Sequence, residues 1–159
     1  MKFSDFVCFD ATVTELNDKN RDQVIETLVS AIDNSGKLGK NNAKTITKAV
    51  IKRENEASTG MGKGIAVPHV KHRAVKNIVA ALGQSSTGID FSSLDKQPVY
   101  SVILLLSPVD KPDEHLQAME CIFKYLQKDK FRKFLRQAQK PEQIEDLLKE
   151  ADENTYLYQ

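Results

Sequence analysis

No stretch of this sequence approaches the roughly 18 consecutive apolar residues that a membrane-crossing helix requires, so direct insertion into a bilayer is not expected. Charge of one sign is lacking as well: 23 lysines and arginines face 22 aspartates and glutamates, for a net charge of +1. Without a global positive field nothing draws the chain to nucleic acid or to an anionic membrane, and any phosphate it handles must be met by local charges. Cysteine is scarce. Two thiols, Cys8 and Cys121, are too few for a disulfide framework; buried free thiols are expected, with a single bridge left open. The opening residues Met1 to Cys8 include Asp5 where a secretory leader needs an unbroken apolar run, and a cytoplasmic location is the expectation.

What is present fits one domain with a real hydrophobic core. The 159 residues contain no internal repeat and no low-complexity linker; residues 1–159 are read as a single domain, with a core over about 3–152 and a short tail at 153–159. Val24, Ile25, Leu28, Val29 and Ile32 recur at helical spacing, and Gly36 is placed to end that helix. A second helix is expected after Asn41 or Asn42 as cap, with Ile46, Ala49, Val50 and Arg53 along one side, so that Arg53 emerges near its end. Leu116, Met119, Phe123 and Leu126 predict the apolar side of a third helix, opened by Pro112, Asp113 and Glu114. Phe131, Phe134, Leu135 and Ala138 mark a short fourth; Pro141 begins another, with Ile144, Leu147 and Leu148 inward.

Between the second and third helices the pattern changes. Ile65 to Val67, Asn77 to Gly83 and Val99 to Leu106 are near-continuous apolar runs, which read as strands covered on both faces. A polar connection with turn residues, and at most a short strand, spans Ser85 to Pro98. The fold class that follows is α/β: a mixed, mostly parallel β-sheet with helices on both faces.

The stretch from Arg53 to His69, RENEASTGMGKGIAVPH, carries the chemistry. Gly60, Gly62 and Gly64 let the backbone turn tightly and come close to a ligand. Pro68 fixes its own φ and keeps Val67 extended, so the strand is expected to end where His69 begins. A neutral imidazole is nucleophilic near neutral pH, and a phosphoryl group placed on it needs fixed donors. His115 falls in the first turn of the third helix. If the strand before that helix runs parallel to the one leading into His69, both histidines reach the same carboxyl edge of the sheet, where ligands bind in such folds. Each feature also has a plainer reading: a glycine turn, a structural histidine, an arginine favoured at a helix C-terminus, and a His115 bonded to nearby backbone.

The segment resembles the active-site signature of the type-2 IIA proteins of the sugar phosphotransferase system, the fructose, mannitol and nitrogen-regulatory branch. Glu54, Met61-Gly62, Ile65 to Pro68 and His69 stand at matching positions, and His115-Leu116 is similar to the family's second histidine. The resemblance runs from about Phe3 to Asp152 and includes Leu94 to Val99. It implies a phosphotransferase component in which His69 accepts a phosphoryl group from the phosphohistidine of HPr or an HPr-like carrier and passes it to a cysteine of a IIB partner. No cofactor or metal enters that scheme.

Arg53 would then stabilise charge, His115 would bond a phosphoryl oxygen, and Ser58 or Thr59 would orient that oxygen or His69, or else cap the loop. One position departs from the family. Val70 stands where a small residue is usual and is expected to narrow the approach of a partner. An alternative class is a nitrogen-regulatory module that binds a regulatory protein and uses phosphorylation as its switch, which a free-standing chain fits. A third reading, a metal site of His69, His72 and His115, meets the objection that Pro68 argues against the helix that would bring His69 and His72 together; His72 reads instead as a surface residue beside Lys71 and Arg73.

Overall fold

The computed structural model describes residues 1–18 and 20–153. Among these, β1 (Gly60–Gly62), β2 (Ile65–Ala66), β3 (His69–Lys71), β4 (Val79–Ile89) and β5 (Val99–Ser107) form one sheet. β5 is central. β2 and β3 lie parallel along one side of it, Ile65 opposite Ser101 and His69 opposite Leu105, and β4 lies antiparallel along the other. β1 folds back on β2 as a hairpin, and two parallel bridges, Val7 to Ala80 and Val13 to Gly83, extend the sheet past β4. Parallel pairings therefore outnumber antiparallel ones, as the sequence predicts.

Side chains alternate across each strand, and the two resulting faces own two separate cores. Ile65, Val67, Ala80, Leu82, Ile103 and Leu105 point into one, with α1 (Phe3–Phe6), α4 (Pro112–Leu126), α5 (Asp129–Gln137) and α6 (Pro141–Glu153) packed over them. Ala66, Val79, Ala81, Val102, Leu104 and Leu106 point into the other, beneath α2 (Arg21–Asn34) and α3 (Ala43–Glu56). Burial on both faces is why Val102 to Leu106 is unbroken hydrocarbon: a polar side chain at any of those positions would be stranded without a partner. Cys8 and Cys121 are buried free thiols in opposite cores. No helix among the described residues is long and apolar enough to cross a membrane.

The helix ends follow local chemistry. Asn20 caps α2 by accepting from the Gln23 N–H at 2.9 Å, and Gly36 follows it at φ +78°. Asn42 precedes α3 but gives its side chain to the Leu38 carbonyl at 2.6 Å, so it closes the preceding turn instead of capping the helix.

Three expectations are corrected. First, β4 does not stop at Gly83 but runs on through the polar residues to Ile89, opposite Val99. Its buried Gln84 accepts from the Ser101 hydroxyl and donates to the Leu135 carbonyl, so the polar side chains are satisfied inside the sheet. Second, the buried stripe of α4 is Ala118, Cys121, Ile122, Tyr125 and Leu126, while Leu116 is 58% exposed. The helix is turned so that its first apolar residue faces solvent beside the sheet edge; Phe134, on α5, is likewise largely exposed. Third, Glu153 belongs to α6, and the rest of the expected tail, residues 154–159, lies outside the described residues.

Gly60 is confined by its neighbours: a Cβ there would sit 2.2 Å from the Ser93 hydroxyl and 3.1 Å from the Ser93 Cα. Because part of that obstruction is backbone, Gly60→Ala is expected to destabilise the fold by about 1–3 kcal/mol, the usual cost of overpacking. Urea unfolding checks it, through a lower midpoint at unchanged slope.

Candidate functional site

Pro68 shapes the site by what it cannot do. It accepts from the Leu105 N–H at 3.0 Å but has no N–H of its own to give to β5, and the ladder is interrupted between β2 and β3. The strand does not end at His69, as the sequence reading has it; it resumes there, with His69 as the first residue of β3. The half-buried His69 ring turns back on the break before it, where Nδ1 lies 2.8 Å from the Val67 carbonyl oxygen. A carbonyl only accepts, so Nδ1 carries the proton and Nε2 keeps its lone pair.

Partial burial is the first cause holding the His69 pKa below the ordinary 6.5; the Val67 bond opposes it, and the Arg53 charge lowers it further. The ring is therefore neutral and its Nε2 available at physiological pH.

The second histidine arrives from the next layer. β5 ends at Ser107 beside Lys71, and α4 begins a few residues later, so His115 on its first turn stands next to His69. The ring centroids are 5.8 Å apart and the planes tilted by 42°. His115 Nδ1 lies 2.7 Å from the hydroxyl of the fully buried Ser107. Its pKa is also lowered, by desolvation first and then by His69 and Lys71.

Arg53 comes from the opposite face, on the last turn of α3, and its Nη1 donates to the Ala57 carbonyl at 3.0 Å. The Ala57 to Gly60 segment is clamped. Buried Glu54 accepts from the Thr59 N–H at 2.6 Å and from the Thr59 hydroxyl at 2.7 Å, while the Ser58 hydroxyl donates to the Phe91 carbonyl and accepts from the Gly60 N–H at 3.0 Å. What gathers at this edge is an imidazole with a free lone pair, a second imidazole, a guanidinium and an ammonium. Three of these groups can donate hydrogen bonds or carry positive charge, a donor set chemically suited to an anion.

The sequence profile of the phosphoenolpyruvate-dependent sugar phosphotransferase system, EIIA 2, matches residues 8–151. The chain belongs to this family. It is 32% identical over 152 residues to the fructose-specific EIIABC component of Bacillus subtilis, covering 96% of this chain and 24% of that protein. It is also 34% identical over 110 residues to the nitrogen regulatory protein of Klebsiella oxytoca, covering 69% of this chain and 68% of that one. The chain thus spans about a quarter of the length of the Bacillus protein. Among solved structures, the nitrogen regulatory protein IIA-Ntr of Neisseria meningitidis has a TM-score of 0.81 at 22% identity, over 90% of this chain and 96% of that one. A complex of enzyme IIAMTL with phosphorylated enzyme IIBMTL from Escherichia coli has a TM-score of 0.73 at 17% identity, over 88% of this chain and 94% of that one. These two likenesses show the α/β fold of IIA domains.

Within this EIIA 2 chain the structure brings His69, His115 and Arg53 together and sends several other residues elsewhere. Gly62 and Gly64 flank Lys63 in the β1–β2 turn, at φ +87° and +80°, against Asp95 and Tyr100. At about 3.3 Å per residue this turn lies roughly 16 Å along the strand from His69, so it shapes the hairpin and does not line the site. Asp95 accepts from the Lys63 N–H at 2.9 Å, and that bond and a second from Gln97 hold its carboxyl below the usual carboxylate range. Ser58 and Thr59 spend their hydroxyls on Phe91 and Glu54. Val70 does not crowd the approach to His69: one residue further along β3 it faces the opposite side of the sheet, packed against the α2–α3 core. His72 Nδ1 accepts from the Ala74 N–H at 3.0 Å. Among the described residues no group of three or more His, Cys, Asp or Glu is placed to hold a metal ion.

Two residues of the site escape the sequence reading. Lys71, whose charge acts on both histidines, shares the His69 face of β3 two residues on, and period-two alternation would find it once His69 is known to start a strand. Ser107 has no such signal, because its contact with His115 crosses from strand to helix.

The pH dependence has a definite sign. Because burial and cationic neighbours lower the folded pKa of His69 from 6.5, its acceptor form survives below the pH at which a free imidazole is half protonated. Phosphoryl uptake is expected to stay level as pH falls through 6.5 and to decline only in more acidic buffer. The unfolded chain takes up these protons first, so stability present above pH 6.5 drops away toward the folded pKa values of His69 and His115. Initial labelling rates and urea midpoints across pH 5–8 check both, with a carrier-only control for the donor's own titration.

Proposed function

We propose that His69 is the phosphoryl carrier of this EIIA 2 chain, taking a phosphoryl group on Nε2 from the phosphohistidine of HPr or an HPr-like protein and passing it to a cysteine of a IIB partner. The observation that carries the reading is the Val67 bond to Nδ1: it leaves Nε2 unprotonated on a ring that has His115 5.8 Å away and the charges of Arg53 and Lys71 acting on it. In the first step the phosphorus–nitrogen bond to the donor's imidazole breaks as the bond to His69 Nε2 forms. The proton stays on Nδ1, donated to the Val67 carbonyl throughout, so no base has to prepare the nucleophile. In the second step a cysteine thiolate attacks phosphorus, and the imidazole leaves as it came.

Transfer between nucleophiles of this kind asks for alignment and for neutralisation of the equatorial oxygens. Arg53 and Lys71 supply charge, His115 supplies a hydrogen bond, and no step runs through a metal. Ser58, Thr59 and Glu54 act one step away, by holding the loop whose Ala57 carbonyl positions the Arg53 guanidinium. A carrier fed from phosphoenolpyruvate in this way works in the cytoplasm. The test is incubation with phosphoenolpyruvate, enzyme I and HPr, followed by mapping of acid-labile phosphate. One phosphate per chain, on His69, is expected; stable phosphate on any other residue overturns the reading.

The 34% identity to a nitrogen regulatory protein supports a second reading of the same first step. Here the phosphorylated and free states recruit different regulatory proteins, and the added charge of about −1.5 to −2 is itself the signal. The two differ in the acceptor. Rapid loss of label onto purified IIB cysteines favours relay; partners captured differently by wild type, His69→Ala and His69→Asp favour the switch.

A further inference from the structure

Ser107 occupies an unusual position for a hydroxyl. It is the last residue of β5, 0% exposed, in a strand whose five preceding residues are all buried and apolar. Its backbone carbonyl receives the His72 N–H at 2.9 Å, and its hydroxyl lies 2.7 Å from His115 Nδ1. A buried hydroxyl proton has to find an acceptor. Among the described residues His115 Nδ1 is the one partner this hydroxyl has, so the proton is satisfied only if Ser107 donates and Nδ1 accepts. Nδ1 then holds a lone pair, and in the neutral ring the other proton resides on Nε2.

We infer that Ser107 is a positioning residue which fixes His115 as the Nε2–H tautomer and aims that N–H at the phosphoryl group on His69. This rests on the carrier reading above. The two rings are then set in opposite senses by two different neighbours. The Val67 carbonyl puts the His69 proton on Nδ1 and leaves Nε2 a lone pair; the Ser107 hydroxyl puts the His115 proton on Nε2 and makes it a donor. One nitrogen receives phosphorus, and the other meets the oxygens that come with it. A neutral donor held by a buried hydroxyl also shares charge with the phosphoryl group without forming a full ion pair, which keeps the group easy to pass on. Protonating His115 would turn Nδ1 into a donor facing Ser107 and take away the acceptor of the serine proton.

The experiment compares Ser107→Thr with Ser107→Val, two side chains of nearly equal shape that differ by the hydroxyl. Ser107→Thr is expected to keep the transfer rate within about threefold, and Ser107→Val to lose on the order of tenfold, the value of one well-aimed donor at the low end of the range. Nitrogen-15 NMR of the histidines in the unphosphorylated wild type reads the tautomer with no phosphoryl transfer involved. The expected pattern is a pyrrole-type Nε2 and a pyridine-type Nδ1 for His115, with the two reversed for His69. A protonated Nδ1 on His115, or equal rates for the Thr and Val variants, overturns the inference. If both variants unfold, the wild-type spectrum still decides. A wild type that shows the expected tautomers but takes no phosphate would overturn the carrier reading and leave the Ser107–His115 arrangement standing.

Discussion

His69→Ala is expected to take up no phosphate from phospho-HPr: labelling falls to background, a loss beyond a thousandfold, while the fold persists. On the carrier reading proposed above the loss is complete, because this residue is the point of covalent attachment and neither His115 nor His72 replaces it. With Nδ1 accepting from Ser107 in one ring and from the Ala74 N–H in the other, each neutral ring keeps its proton on Nε2 and has no lone pair to spare. The fold persists because the ring is only half buried and makes one backbone bond, to Val67 two residues before it. Truncation costs that bond, about 1 kcal/mol, against cores on both faces of β5 that it leaves untouched. Circular dichroism and a urea midpoint near wild type, alongside absent labelling, give the expected combination. Label retained at one phosphate per chain would move the acceptor elsewhere.

Removing the guanidinium comes next in size. Arg53→Ala is expected to slow transfer to and from His69 by roughly 10²–10³, the range for deleting one fixed donor from a site of developing negative charge. Two features put it there. The charge acts on the His69 ring from a separate element and ranks ahead of that of Lys71, and its orientation is set by the Ala57 carbonyl, which the Glu54–Thr59 clamp holds still. Arg53→Lys should recover part of the loss, since an ammonium restores charge without the planar fork. Rapid-quench rates separate this from docking: the transfer step within the complex should slow, with carrier affinity changed far less. The His69 pKa should move up in Arg53→Ala, because a positive charge that opposes protonation has been taken away. A rate within threefold of wild type would remove Arg53 from the site.

Both predictions draw on residues that were visible before any fold was known, and the reasons are local. His69 follows Pro68, and Pro68 forces an interruption whatever surrounds it. Arg53 sits at helical register with Ile46 and Val50, so the end of α3 was its natural place. The helices themselves were legible where one face is apolar at a regular period, as in Val24 to Ile32. Legibility failed where a neighbour from elsewhere decided the outcome. The run from Ser85 to Thr87 reads as a loop by composition, yet pairing with β5 and the Gln84–Ser101 bond carry β4 onward to Ile89. Leu116 reads as core, yet the direction from which α1 and α5 cover α4 leaves it in solvent beside His115. The glycines read as a ligand loop, and their turn belongs to a hairpin that meets Asp95 and Tyr100.

By itself, then, the order of residues determined the longer helices, which strands lie buried on both faces, and that an imidazole follows a proline where a strand breaks off. These are consequences of periodicity and of backbone chemistry within a few residues, and they hold for any packing. The sheet's strand order decided the rest. Laying β3 and β5 side by side in parallel sets His69 near the end of β5, from which the chain leads into α4, and so brings two histidine rings 46 positions apart to 5.8 Å between centroids. It also turned Val70 away, recruited Lys71, and gave His115 a buried serine to accept from. Contacts of that kind depend on which elements become neighbours, a choice made by the burial of whole faces and recorded at no single position in the chain.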